Sequence, residues 1–323
     1  MDEALEAASA VRASTSPNPW VGCVVVADDG ATFVGATEPP GGRHAEVVAL
    51  DAAGPASVGA TVFSTLEPCP HAGRTGPCTE RLIAAGVARV VVGVEDPDPH
   101  VAGRGVARLR EAGIEVTVGV AADEVAAQLA PYLHHRRTGR PWVVLKLAAT
   151  LDGRTAAPDG TSRWITGADA RADAHRLRAE SDAIVVGAGT VRADDPSLTV
   201  RHVDGADPRR IVLGTIPPDA KVLPAEEHHG DLAPLLDRLG AEGVVQVLVE
   251  GGARVAHAFH HAGLVDRYVV YLAPALFAGD DAVGLFSGPG APTITDLWRG
   301  RFERCTPLGA DMRIDLVADR GAA

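Results

Sequence analysis

Residues 44–46 read His-Ala-Glu, and residues 65–78 read Thr-Leu-Glu-Pro-Cys-Pro-His-Ala-Gly-Arg-Thr-Gly-Pro-Cys. Apolar runs of strand length surround them at 21–26, 60–66, 89–94 and 114–118. Helical segments alternate with the strands at 44–53, 77–85 and 103–112. Pro77 stands at a first helical position, and Gly86 and Gly113 stand just past helix ends. Such alternation predicts a parallel or mixed sheet covered by helices. It puts His44 at a helix start, Cys69 just after a strand and Cys78 in the first turn of another helix.

One imidazole and two thiolates make three zinc ligands and leave a fourth position for water. Thiolates at helix N-termini gain from free N–H groups and from the helix dipole. Zinc lowers the pKa of its water to about 7. Glu46 is two residues from a ligand and is not needed for coordination. It can carry a proton from water to a ring nitrogen and then to a departing amine. The logic is that of the zinc deaminases, H-x-E…P-C-x-x-C. The departure is the spacing, since eight residues separate Cys69 from Cys78. His71 lies in that insert and would close the sphere of a structural zinc site. Glu46, which a structural site does not need, argues for catalysis.

The rest of the chain narrows the class. At 323 residues, two domains are expected. Aromatics are scarce at 4%, and small residues suit helices lying close on a sheet. Thirty basic residues against 42 acidic ones give a net charge of −12. Nucleic-acid binders need a basic face, so a nucleic-acid partner is not expected. A small phosphorylated ligand needs only local cations. Cys23, Cys69, Cys78 and Cys305 form no disulfide framework. The start has no signal-peptide pattern, and no apolar run approaches about 18 residues. A cytoplasmic location without a membrane partner is expected.

After a helix through Leu129, the basic stretch Tyr132-Leu-His-His-Arg-Arg-Thr-Gly-Arg-Pro141 reads as a solvated linker, its His134-His135 pair included. A second series follows, with strands at 142–148, 183–186, 210–213, 246–249 and 268–272, and helices at 168–180 and 254–262. Two strand–glycine–helix junctions stand out, Ile184-Val-Val-Gly-Ala-Gly-Thr190 and Val247-Leu-Val-Glu-Gly-Gly-Ala253. Each alone is as much a tight turn as a phosphate cradle; two together favour a nucleotide cofactor. His257, His260 and His261 share helical spacing and read as a solvent-exposed face rather than a metal set.

Four stretches resemble the deaminase domain of the bifunctional riboflavin-biosynthesis deaminase/reductases: Ser16-Pro-Asn-Pro-Trp-Val-Gly-Cys23, His44-Ala-Glu-Val47, the 65–78 segment and Asp96-Pro-Asp-Pro-His-Val-Ala-Gly-Arg-Gly105. Four more resemble the reductase domain: Lys146-Leu-Ala-Ala-Thr-Leu-Asp-Gly-Arg154, Ser162-Arg-Trp-Ile-Thr166, Arg192-Ala-Asp-Asp-Pro-Ser-Leu-Thr-Val-Arg201 and Glu250-Gly-Gly252. The resemblance implies an α/β chain. A cytidine-deaminase-like three-layer domain at 1–141 would precede a dihydrofolate-reductase-like α/β domain at 142–323.

The resemblance also implies Zn2+ on His44, Cys69 and Cys78, with Glu46 catalytic and Asn18, His71 and Arg74 at the deaminase substrate. That substrate would be 2,5-diamino-6-(5-phosphoribosylamino)pyrimidin-4(3H)-one. NADPH would then reduce the ribosyl group to ribityl. Ala149, Trp164, Thr190, Asp194 and Thr215, with Gly252, Ala253, Arg254, Val255, Ala256, His257 and Ala258, would line the cofactor site. Lys146, Ser162, Arg178, Leu198, Arg201 and Glu250 would face the reductase substrate. A charge on Lys146, in a strand, needs a polar ligand or a carboxylate nearby.

One departure stands at 214–245, where the family usually carries further strands. This chain offers no convincing strand there and one helix at 232–239. A smaller sheet is expected, which leaves the choice between NADPH and NADH open. Two alternatives follow: a deaminase joined to a half that binds nucleotide but reduces poorly, and a deaminase of bases in nucleic acid. The acidic charge and the insert between the cysteines argue against the latter. A homo-oligomer through the reductase domain is left open.

Overall fold

The computed structural model describes residues 1–71 and 76–318, and its chain divides into two units, Met1–Gly139 and Arg140–Ala323. The first unit begins with α1 (Asp2–Val11), β1 (Gly22–Val26), β2 (Thr32–Ala36), α2 (Ala45–Ala53) and β3 (Thr61–Leu66). It continues with α3 (Cys78–Ala84), β4 (Arg89–Val94), α4 (Arg104–Glu111), β5 (Glu115–Val118), α5 (Ala122–Gln128) and α6 (Ala130–Thr138). The sheet order is β2-β1-β3-β4-β5, with β1 antiparallel to both neighbours and β3, β4 and β5 parallel. Helix α2 lies so close on β2 that a Cβ at Gly35 would fall 2.3 Å from the Ala45 carbonyl oxygen. Glycine at 35 therefore lets the start of α2, with His44 and Glu46, approach the sheet.

The stretch expected as a solvated linker is helix α6. Pro131, Tyr132, Leu133 and His135 are buried, and the Tyr132 hydroxyl donates to Asp96 Oδ2 at 3.0 Å. The basic residues that made it look like a linker occupy the last turn, where cations suit the helix dipole.

The second unit opens with β6 (Trp142–Thr150), β7 (Arg154–Ala156), α7 (Ala168–Ala179), β8 (Ala183–Gly187), α8 (Ala188–Asp194), β9 (Arg209–Leu213) and β10 (Glu226–His228). It continues with α9 (Leu232–Ala241), β11 (Gln246–Val249), α10 (Ala253–His261), β12 (Arg267–Ala273), β13 (Val283–Gly284), β14 (Gly300–Leu308) and β15 (Asp311–Ala318). The main sheet has the order β10-β9-β8-β11-β6-β12-β15-β14. It is parallel from β10 through β12 and antiparallel beyond.

Both faces of this sheet are covered, which is why its central strands are continuous apolar runs. Val143, Leu145 and Leu147 pack with Leu235, Leu239 and Phe259 on one side. Val144, Ile184 and Leu248 pack with Ala174 and Leu177 on the other. The expectation of no strand at 214–245 is corrected: β10 lies in that segment and pairs with β9. Three polar residues, Glu-Glu-His, at an exposed edge carry no apolar pattern from which a strand could be read. Among the described residues, no helix is long and apolar enough to cross a membrane.

Candidate active sites

In the first unit, His44 is the N-cap of α2, Glu46 lies in its first turn, and Cys78 opens α3. His44 Nδ1 is 3.2 Å from Cys78 Sγ and 3.6 Å from Cys69 Sγ. All three candidate ligand atoms lie within 4.8 Å of one another. Bonds of about 2.0–2.3 Å at tetrahedral angles put zinc ligands about 3.5 Å apart, so the triangle fits that ion. Among the described residues this is the one group of His, Cys and carboxylates that converges so.

The electrostatics agree. A hydrogen bond from Cys78 and another from His44 outweigh burial and hold the Cys69 thiol at about 4. Donating that bond, together with burial, pushes Cys78 well above the ordinary thiol range. A dication between them would stabilise both thiolates. Glu46 is 4% exposed. Burial first, then the Cys69 charge, raises its carboxyl to about 7, where a group can both hold and release a proton.

Asn18 is half-buried in the turn before β1, its N–H donating to the Thr15 carbonyl at 2.9 Å. His71 is exposed, its ring 6.3 Å from that of His100. Arg74 lies outside the described residues. Sequence reading missed Glu67, which is 3% exposed. Its carboxylate accepts N–H groups from Asp96 at 3.2 Å, Gly103 at 3.0 Å and Val106 at 3.0 Å. That ties the 96–106 segment to the cysteine-bearing segment. At their meeting point a Cβ on Gly105 would fall 2.0 Å from the Pro68 carbonyl oxygen.

In the second unit a cleft of about 1410 Å³ opens beside the sheet. The starts of α8 and α10, where the two glycine junctions lie, both reach it because β8 and β11 are neighbours. Sites of parallel α/β sheets form at such strand ends. Trp164, Thr190, Asp194, Thr215 and residues 252–255 line it, as do Lys146, Ser162, Arg178, Leu198, Arg201 and Glu250. Ala149 and Ala256 are fully buried, and they, His257 and Ala258 are not among its walls. His257 instead meets the Pro289 carbonyl at 2.9 Å, and His260 the Tyr268 hydroxyl at 2.6 Å. Of the three histidines on α10, His261 alone is exposed, which corrects the reading of a wholly solvated face.

Cations dominate the cleft. Lys146, Arg163, Arg171, Arg178, Arg192, Arg201, Lys221 and Arg254 face three acids, Asp194, Asp195 and Glu250. Arg178 grips Glu250 through two hydrogen bonds of 2.6 and 2.9 Å. Lys146 Nζ lies 4.0 Å from the same carboxylate and 5.8 Å over the Tyr271 ring. Burial would raise Glu250, but Arg178 and then Lys146 overcome it and hold the carboxyl at about 2. His175, which sequence reading also missed, lines the same wall.

Fold and sites together define a two-part enzyme, a zinc-dependent deaminase followed by a reductase. Residues 1–94 match the cytidine and deoxycytidylate deaminase zinc-binding region, and residues 141–314 match the RibD C-terminal domain. The riboflavin biosynthesis protein RibD of Mycobacterium tuberculosis (strain ATCC 25618 / H37Rv) is 44% identical, the match covering 98% of this chain and 96% of that protein. Acinetobacter baumannii RibD, form 1, superposes with a TM-score of 0.90 at 38% identity over 98% of this chain and 97% of its own. A diaminohydroxyphosphoribosylaminopyrimidine deaminase/5-amino-6-(5-phosphoribosylamino)uracil reductase from Thermotoga maritima gives 0.88 at 32%, covering 98% and 97%. The chain belongs to the RibD family and is a bifunctional deaminase and reductase of riboflavin biosynthesis that uses Zn2+ and NADPH. A half that binds nucleotide but reduces poorly is not favoured.

Proposed function

We propose that residues 1–141 deaminate 2,5-diamino-6-(5-phosphoribosylamino)pyrimidin-4(3H)-one and that residues 142–323 then reduce the ribosyl group of the product to ribityl. The observation that carries the first step is the His44–Cys69–Cys78 triangle with a buried carboxyl, Glu46, in contact with it. Zinc held there supplies the Lewis acidity that activates water. Glu46 carries one proton of that water to the ring nitrogen and the second to the leaving amine. Asn18 orients the base, and His71 and Arg74 take the phosphate.

For the second step, NADPH supplies the hydride. Gly252, Ala253, Arg254 and Val255, with Thr190, Asp194 and Thr215, form its side of the cleft. Trp164 is 71% exposed beside the Arg171 guanidinium, an open face for a planar ring. Lys146, Ser162, Leu198 and Glu250 position the sugar, and Arg178 and Arg201 attract the phosphate. Eight basic side chains in a chain of net charge −12 support a polyphosphorylated cofactor beside a sugar phosphate. The same charge balance supports small-molecule rather than nucleic-acid partners. A cytoplasmic setting and a homo-oligomer through the reductase half complete the reading.

Metal content and ammonia release test the first site together. Glu46→Gln should keep about one zinc per chain and lose ammonia release by at least about 10²-fold. Cys69→Ser or Cys78→Ser should lose the zinc. Full zinc in the cysteine variants, or undiminished deamination by Glu46→Gln, would contradict the assignment.

A further inference from the structure

The turn at 198–202 is one that side-chain-bearing residues do not favour. Leu198 (φ 54°) and His202 (φ 69°) both occupy the left-handed region. Three side chains hold the backbone between them. Asp207 Oδ1 accepts the Val200 N–H at 2.7 Å, Arg178 Nη1 donates to the Thr199 carbonyl at 3.1 Å, and His175 Nδ1 accepts the Arg201 N–H at 3.0 Å. His175 and Arg178 stand three residues apart on α7, so they share one helix face. His175 is 7% exposed, lines the cleft and meets the His202 ring edge-on at 5.1 Å.

We propose that His175 is a positioning residue of the reductase site: its Nδ1 holds the Arg201 backbone so that the Arg201 guanidinium stands ready for the substrate phosphate. This rests on the reading of Arg201 given above. Arg178 is already engaged by Glu250, whereas Arg201 is held by the hydroxyls of Ser197 at 2.6 Å and Thr199 at 3.3 Å. Its charge is left for an anion. The chemistry explains why an imidazole serves. The wall needs an N–H acceptor, and a carboxylate would supply one. A carboxylate would also compete with the phosphate for Arg178 and Arg201. A neutral imidazole accepts without adding charge. Burial, then Arg178 and Arg201, push His175 down to about 4, so it stays neutral at physiological pH.

The test is steady-state NADPH oxidation by the full-length, zinc-loaded enzyme with the deaminated phosphate as substrate. His175→Phe keeps the ring and its burial but orphans the Arg201 N–H. The substrate KM should rise about tenfold with kcat within about threefold. His175→Asn places an acceptor near Nδ1 and should hold KM within about threefold of the parent. His175→Asp has the same shape with a charge and should raise KM by at least about tenfold. NADPH affinity should be unchanged throughout.

A parental KM in His175→Phe, while Arg201→Ala raises it, would overturn the inference alone. A KM unmoved by Arg201→Ala would overturn it together with the reading of Arg201. Equal KM values for the Asn and Asp variants, or a parallel loss of NADPH affinity, would also overturn it. The Asn–Asp comparison carries the test should the Phe variant not fold.

Discussion

Glu250 shows how one side chain can be costly alone and stabilising in company. Buried without a partner, its carboxylate would be expelled or protonated. The Arg178 fork and Lys146 instead hold it at about 2. A carboxyl held below its unfolded value of about 4.3 contributes stability that is complete above that pH and is lost as pH falls toward about 2. The contribution is about 3 kcal/mol at neutral pH. Glu250→Gln removes it and leaves the half-buried Arg178 without its bidentate partner, so it should destabilise the enzyme by about 3 kcal/mol at pH 7. Urea unfolding at pH 7 and at pH 3 checks this, because the gap between variant and parent should narrow in acid. A gap independent of pH would show that the pair is not the source.

At this scale the convergence of His44, Cys69 and Cys78 was legible because metal-binding chemistry restricts residue type and spacing. Glu67 and His175 were not. Each acts on backbone N–H groups distant in sequence, and no local pattern marks a side chain whose partners are 29 to 39 or 26 residues away.

Elements were legible where an apolar face repeats and obscure where it does not. The central strands of both sheets announce themselves because they are buried on both sides. Strand β10 is three polar residues on an edge, and β14 is largely exposed along its length. Helix α6 hides its apolar face among arginines and histidines. The 96–106 segment has almost no regular structure before α4, yet Glu67 fixes it through three backbone bonds. Glu67→Gln would turn an amide group toward at least one of those N–H donors. We expect a loss of about 1–3 kcal/mol in unfolding free energy with zinc retained. Unchanged stability would mean that the segment is held by other contacts.

The molecule joins two chemistries whose substrates follow one another, since the product of the first site is what the second reduces. Sequence alone reached this through resemblance in eight stretches, whereas charge counted over the whole chain argued only against a nucleic-acid partner and left a small phosphorylated ligand to local cations. The structure places those cations. Acidic residues predominate in the chain as a whole, while cations gather in one cleft, and no average over 323 residues can show such a separation.

The most direct test of the account is a coupled assay on the purified, zinc-loaded enzyme, following ammonia and NADPH together. With the diamino substrate, the parent should release ammonia and then oxidise NADPH in about equal amounts. Glu46→Gln should do neither with that substrate but should still oxidise NADPH when given the deaminated phosphate. NADPH oxidation by Glu46→Gln on the diamino substrate, or none by the parent on the deaminated one, would contradict the account.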